Sequence, residues 1–147
     1  MKSYKIITDA SGVVELANYI TQGNIIAYDT ETTSVNPRQG DIIGFSVSAN
    51  LNEGYYFPTK VWNNDTQTID DLTIEGKRCE DIAIKLIKLL IGKKLVMHNA
   101  SFDVRYTKNC YDIDLRDSLY CDTMLLRHTL KEDGPFGLKD IAIELQN

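Results

Sequence analysis

The chain has 147 residues, 43% of them hydrophobic and 25% charged, which suits one globular domain with its own core. No apolar run reaches the length of a membrane span, and Met1-Lys2-Ser3-Tyr4-Lys5 lacks the apolar core of a signal peptide, so no membrane association is expected. A net charge of −5 excludes a broad electrostatic grip on duplex nucleic acid, but it leaves room for a site that holds phosphate through a bound cation.

Tyr4 to Thr8 is a short strand candidate. Ser11 to Gln22 carries Val13, Leu16, Ala17 and Ile20 at helical spacing, and Gly23 stops that helix. Ile25 to Thr32 follows as an apolar run, read as a central strand buried on both faces. Asp41 to Ala49 and Gly54 to Thr59 are two more strands, joined through Asn50 to Glu53 as a hairpin. Val61 to Gly76 is polar and reads as a surface loop; Trp62 within it has no assigned role. Cys79 to Ile91 is a well-covered helix closed by Gly92. Leu95 to His98 is a buried strand that the intervening helix allows to run parallel to the central one. Ala100 to Cys110 is a helix, and Asp112 to Cys121 holds a further short strand. Asp122 caps a helix to about Leu130, Glu132 to Pro135 turn, and Gly137 to Leu145 begins a last helix. A strand meander followed by alternating helix and strand predicts an α/β domain with a mixed central sheet and helices on its faces. Cys79, Cys110 and Cys121 are odd in number and form no Cys-x-x-Cys pair, so they read as free thiols in a reducing compartment.

Two stretches carry chemistry. In Tyr28-Asp29-Thr30-Glu31, strand alternation puts Asp29 and Glu31 on one side. Neighbouring carboxylates at the end of a buried strand repel, and one takes up a proton unless a cation sits between them. Hard divalent ions such as Mg²⁺ or Mn²⁺ suit that all-oxygen setting. The pair alone is read as plainly as an acidic turn. The second stretch, Met97-His98-Asn99-Ala100-Ser101-Phe102-Asp103, turns a buried strand into a helix, where ligand sites gather in open α/β sheets. Asn99 can cap the helix, and Asp103 in its first turn can face the same crevice as Asp29 and Glu31. Alone, these two would be a cap and a complement to the helix dipole.

Asp29-x-Glu31 and Asn99-x-x-x-Asp103 resemble the first two motifs of the DEDD 3′–5′ exonucleases, whose fold is ribonuclease H-like. Asp29-Thr30-Glu31-Thr32, Gly44-Phe45-Ser46, Tyr55-Tyr56-Phe57-Pro58, Asp122-Thr123-Met124-Leu125 and Gly137-Leu138-Lys139-Asp140 look like the proofreading exonuclease domain of family A DNA polymerases. Each motif is weak, but five in order are strong. The resemblance implies two divalent ions, Mg²⁺ or Mn²⁺: Asp29 would bridge both, Glu31 would bind one and Asp103 the other. Thr32 and Val35 match positions that touch the terminal nucleotide, and Asn99 and Phe102 match positions that shape its pocket. The implied substrate is a single-stranded DNA 3′ end, in a parent protein with a polymerase domain and a cytoplasmic setting in a bacterium or phage-infected cell.

The family also needs a fourth carboxylate, in a third motif beyond the Gly-Leu-Lys-Asp segment. The chain over residues 1–147 therefore reads as one exonuclease-like domain, incomplete at its C-terminal side, and weak or inactive by itself. His128 and Asp133 have the spacing of such a motif but fall before Gly137-Leu138, so the match is read as chance. His98 reads as a core or rim histidine, Lys93-Lys94 as a solvated helix exit, and Arg105 and Lys108 as surface charges within reach of phosphates. The alternatives are a non-catalytic scaffold or DNA-end-binding module, and a ribonuclease D-like RNA exonuclease. The Tyr-Tyr-Phe-Pro strand favours the polymerase branch over the latter.

Overall fold

The computed structural model describes residues 2–146. The chain forms β1 (Ser3–Ile6), α1 (Ala10–Gln22), β2 (Ile25–Thr32), β3 (Ile42–Asn50) and β4 (Glu53–Pro58). Four short strands follow, β5 (Lys60–Asn63), β6 (Thr68–Asp71), β7 (Thr73–Ile74) and β8 (Lys77–Arg78). Then come α2 (Cys79–Lys88), β9 (Lys94–Met97), α3 (Ala100–Tyr111), β10 (Leu119–Asp122), α4 (Thr123–Leu130) and α5 (Leu138–Gln146).

Six strands make the central sheet in the order β1-β4-β3-β2-β9-β10. The expected hairpin is there: β3 pairs antiparallel with β4, and β2 antiparallel with β3. After α2, β9 returns parallel to β2, and β10 lies parallel to β9. The result is the mixed α/β sheet flanked by helices that the pattern predicts. β1 adds itself parallel to β4 at the edge, a pairing that nothing in its four residues announces.

The core lies between one sheet face and helices α1, α2 and α3. Ile26, Tyr28, Phe45, Val47, Phe57, Leu95 and Met97 meet Leu16, Ile20, Ala83, Ile87 and Tyr106 there. Phe45 joins Tyr28 at 6.1 Å and Phe57 at 5.7 Å between ring centres. Such a layer suffices to bury one face of each strand.

The other face differs from expectation. β2 is not buried on both sides: Ile26, Tyr28 and Thr30 point inward, whereas Ile25, Ala27, Asp29 and Glu31 are exposed. Ile25-Ile26-Ala27-Tyr28 thus follows the alternation of a half-buried strand even though its residues are all apolar. The open face is a shallow trough of about 580 Å³, lined among others by Ile6, Ala27, Asp29, Ser46, Tyr56, Val96 and His98.

The expected 61–76 loop is instead two small hairpins, β5–β6 and β7–β8. Asn63 closes the first by accepting from the backbone N–H groups of Asp65 and Thr66. Glu75 and Gly76 close the second, both with positive φ (49° and 75°), as a primed hairpin turn requires. Polar side chains disguised these strands because both faces are largely wet. The 112–121 segment holds a 3₁₀ turn, Arg116–Ser118, before the strand begins at Leu119.

Candidate active site

The site begins where β9 stops accompanying β2. Their register runs Ile25↔Lys94, Ile26↔Leu95, Ala27↔Val96 and then ends, because Asn99 takes a left-handed conformation (φ 62°) and the chain enters α3. Beyond Ala27, β2 has lost its neighbour on that edge. Asp103, one turn into α3, takes the vacant place. Its Oδ1 accepts from the Thr30 backbone N–H at 2.9 Å and from the Thr30 hydroxyl at 2.7 Å. A split between strands at the carboxyl end of a parallel pair is a usual position for a ligand site.

Asp29 and Glu31 stand on the open face of the same strand end, on either side of Thr30. Partial burial and, next to it, the Glu31 charge push the Asp29 carboxyl above its ordinary range, while His98 pulls it down. Asp103 is 1% exposed, and burial pushes its carboxyl up to about 6. The two bonds from Thr30 work against that rise, and the Asp29 charge adds to it. Asp29 therefore stands between the other two: the Glu31 charge acts on it, and its own charge acts on Asp103. Among the described residues no three His, Cys, Asp or Glu side chains stand close enough together to form a ready cage for an ion. The acids couple in pairs, as repelling carboxylates without a cation do. Their donor set is all oxygen and anionic, which fits Mg²⁺ or Mn²⁺ and no softer metal.

The nucleotide-pocket candidates are distributed by α3. Thr32 lies at a bulge after Glu31, and its hydroxyl donates to the Ser34 carbonyl at 2.9 Å. Val35 is 88% exposed, an apolar side chain held out on the 33–41 loop. Three α3 residues hold that loop: the Tyr106 hydroxyl donates to the Ser34 carbonyl, Asn109 Nδ2 to Pro37 at 3.3 Å and Cys110 Sγ to Gly40 at 3.7 Å. A Cβ on Gly40 would lie 2.4 Å from the Tyr106 oxygen, so the close approach needs glycine there. Phe102 packs on Tyr106 at 4.9 Å between ring centres. Tyr106 thus ties Phe102 to the loop that carries Val35, at the Ser34 carbonyl that Thr32 also contacts. Asn99 precedes the helix, and its carbonyl accepts from the Phe102 backbone N–H at 2.9 Å.

Asn99 is not the cap that the sequence suggests: its side chain makes no capping bond. Asp122 supplies it instead, from β10. Its carboxylate accepts from the backbone N–H groups of Asn99 (3.1 Å) and Ala100 (2.8 Å), and at the start of α4 from Met124 (2.9 Å) and Leu125 (3.4 Å). Burial alone would raise this carboxyl, but the four donors outweigh it and hold it below the ordinary range. The cap on α4 is legible in Asp122-Thr123-Met124-Leu125; the cap on α3 crosses strands and has no local signal. One N-cap is worth about 1 kcal/mol, so Asp122→Ala should cost about 2 kcal/mol in urea unfolding, and Asp122→Asn less. A loss below about 0.5 kcal/mol, the scale of an ordinary surface substitution, would refute the double cap. His128, of the chance third-motif spacing, stacks on Phe136 at 3.5 Å and is engaged there.

A parallel strand pair split by an acid-capped helix, with two acids on the strand end, is the architecture of a 3′–5′ exonuclease domain. The family model described as 3′-5′ exonuclease matches residues 4–147, and the chain belongs to that family. It is a DEDD-type exonuclease domain resembling the proofreading domain of polymerase I. It is 28% identical over 131 residues to DNA polymerase I of Pseudomonas aeruginosa, covering 86% of this chain and 13% of that protein. It is 26% identical over 151 residues to the DNA polymerase of Escherichia phage T5, covering 96% of this chain and 16% of that protein. The chain thus spans about one seventh of the length of these relatives. Its fold is shared by Escherichia coli RNase D, an exoribonuclease involved in structured RNA processing (TM-score 0.64, 15% identity, 97% of this chain and 33% of that one). Brucella melitensis NrnC with bound Mg²⁺ is similar too (TM-score 0.61, 19% identity, 97% of this chain and 59% of that one). No described helix is long and apolar enough to cross a membrane.

Proposed function

We propose that this domain removes nucleotides one at a time from the 3′ end of single-stranded DNA, as the proofreading partner of a polymerase domain. The observation that carries the reading is the place of Asp29, whose charge is coupled to Glu31 on one side and to Asp103 on the other. Asp29 and Glu31 would hold one divalent ion, and Asp29 and Asp103 a second. When bound, such ions supply an activated water and stabilise the leaving 3′ oxygen. The chain's own residues do the rest. Val35 and Phe102 offer apolar surface on which an unpaired terminal base stacks, worth about 1–3 kcal/mol per base. Thr32 and Asn99 offer polar contacts to its sugar and phosphate. The net charge of −5 suits a single frayed end better than a duplex.

DNA is favoured because the curated relatives are DNA polymerases. RNA is the second reading, favoured by the fold shared with an exoribonuclease. The test compares 5′-labelled single-stranded DNA and RNA of one sequence, with Mn²⁺, at equal protein. A ladder of shortening products from DNA, slower on RNA and absent in Asp29→Asn, is expected. Faster loss from RNA would move the substrate to RNA. Binding of the end with no shortening, in this chain and in one supplied with a fourth carboxylate, would make the domain a scaffold.

A further inference from the structure

The Glu31 side chain is exposed and has neither a hydrogen bond nor an ion pair among the described residues. A glutamate with that freedom is a poor ligand until something orients it, and metal-site carboxylates are as a rule oriented by a hydrogen bond from a neighbour. The sheet supplies a neighbour. Asp29 faces Ser46 on β3, Ser46 faces Tyr56 on β4, and Glu31 faces Gly44. Asp29, Glu31 and Tyr56 all stand on the open face. The Tyr56 ring does not stand upright there but lies back across β3 over Gly44. A Cβ on Gly44 would meet the Tyr56 oxygen at 2.2 Å and Cζ at 2.5 Å, so the ring takes this course only because position 44 has no side chain. Its hydroxyl ends over the residue paired with Glu31, and it has no hydrogen-bond partner among the described residues. A phenol is protonated at neutral pH, which leaves this hydroxyl a donor.

We propose that Tyr56 is a positioning residue for Glu31: its phenolic O–H donates to the Glu31 carboxylate and holds it turned toward Asp29 for a divalent cation. The inference rests on the metal-dependent reading above and assigns Glu31 an orienting partner from β4. Ser46, the β3 residue between Asp29 and Tyr56, is too short to serve, and Gly44, which faces Glu31, offers only backbone.

The test uses the full chain as wild type, Tyr56→Phe, Glu31→Gln and the double variant. In metal-free protein, Tyr56→Phe should move the carbon-13 resonance of the Glu31 carboxyl. By calorimetric titration, Tyr56→Phe should weaken Mn²⁺ binding about tenfold, the usual scale for losing such a partner. In the Glu31→Gln background it should weaken it no further, because the two residues act as one. Gly44→Ala, which drives the ring off β3, should reproduce Tyr56→Phe. An unmoved Glu31 resonance overturns the proposal, and so does a loss of affinity that is the same with and without Glu31. Should wild type show no Mn²⁺ binding that Asp29→Asn removes, the metal reading fails by itself. The resonance then decides the Tyr56–Glu31 contact alone.

Discussion

Replacing Asp29 by alanine is expected to cut Mn²⁺-dependent release of 3′ nucleotides by more than about a hundredfold. Loss of a residue that only orients a metal ligand already costs about 10- to 100-fold, and Asp29 is placed to be a ligand itself, shared by both ions. The substitution is structurally mild. Asp29 points away from the core, so its loss leaves Tyr28 and Thr30 packed as before. It also relieves Asp103 of a neighbouring charge. A measured rate should therefore fall without a fall in stability. The same charges bear on the activity of the 147-residue chain. Three carboxylates face the four positive charges of two divalent ions, and among the described residues no three acids stand close enough together to close a cage. An ion held by too few ligands sits loosely, and a displacement of about 1 Å near a reacting centre can cost about a hundredfold in rate. We expect slow release from this chain, and faster release from a variant in which a fourth carboxylate is supplied beside the three. Equal rates for the two, measured on one labelled oligonucleotide, would show that the three acids suffice.

Much of this arrangement was legible in the residues, and the failures share a cause. Asp29 and Glu31 declared themselves because strand alternation is strict, so one position of separation fixes a common side. The hairpin of β3 and β4 was legible in the turn-rich Asn50–Glu53 link. What could not be read was contact between distant segments. Ile25-Ile26-Ala27-Tyr28 has the same composition whether one face or both are covered, and only the positions of α1 to α3 decide it. Asn99 is a good cap residue by type, yet its left-handed backbone leaves the capping to Asp122 from another strand. The β5–β8 hairpins are hidden because wet strands carry no alternation. Tyr56 looked like part of a motif; its relation to Glu31 appears only when Gly44 lies between them.

The buried Asp103 makes a second expectation that needs no substrate. Its carboxyl titrates near 6 in the folded chain and near 3.9 in the unfolded one. Between those values the folded state keeps a proton that the unfolded state has released. Stability from this group is therefore full below about pH 4, is lost as pH rises through about 6, and stays level above. The difference of about two units corresponds to about 3 kcal/mol, an upper figure. Other acids run the opposite way: Asp122, held low by its four donors, loses stability as pH falls. The comparison that isolates Asp103 is wild type against Asp103→Asn, both without metal. Asparagine keeps an oxygen for the two Thr30 donors and removes only the charge. We expect the two proteins to unfold at similar urea concentrations near pH 4, and Asp103→Asn to be the more stable by up to about 3 kcal/mol at pH 7. Mg²⁺ should close most of that gap at pH 7, because an ion at a hundred times its dissociation constant adds about 2.7 kcal/mol to a protein that binds it. Asp29→Asn should forgo most of that gain. Parallel pH profiles for wild type and Asp103→Asn would mean that Asp103 is ionised at no cost in the folded chain, and equal Mg²⁺ shifts in wild type and Asp29→Asn would place the ion elsewhere.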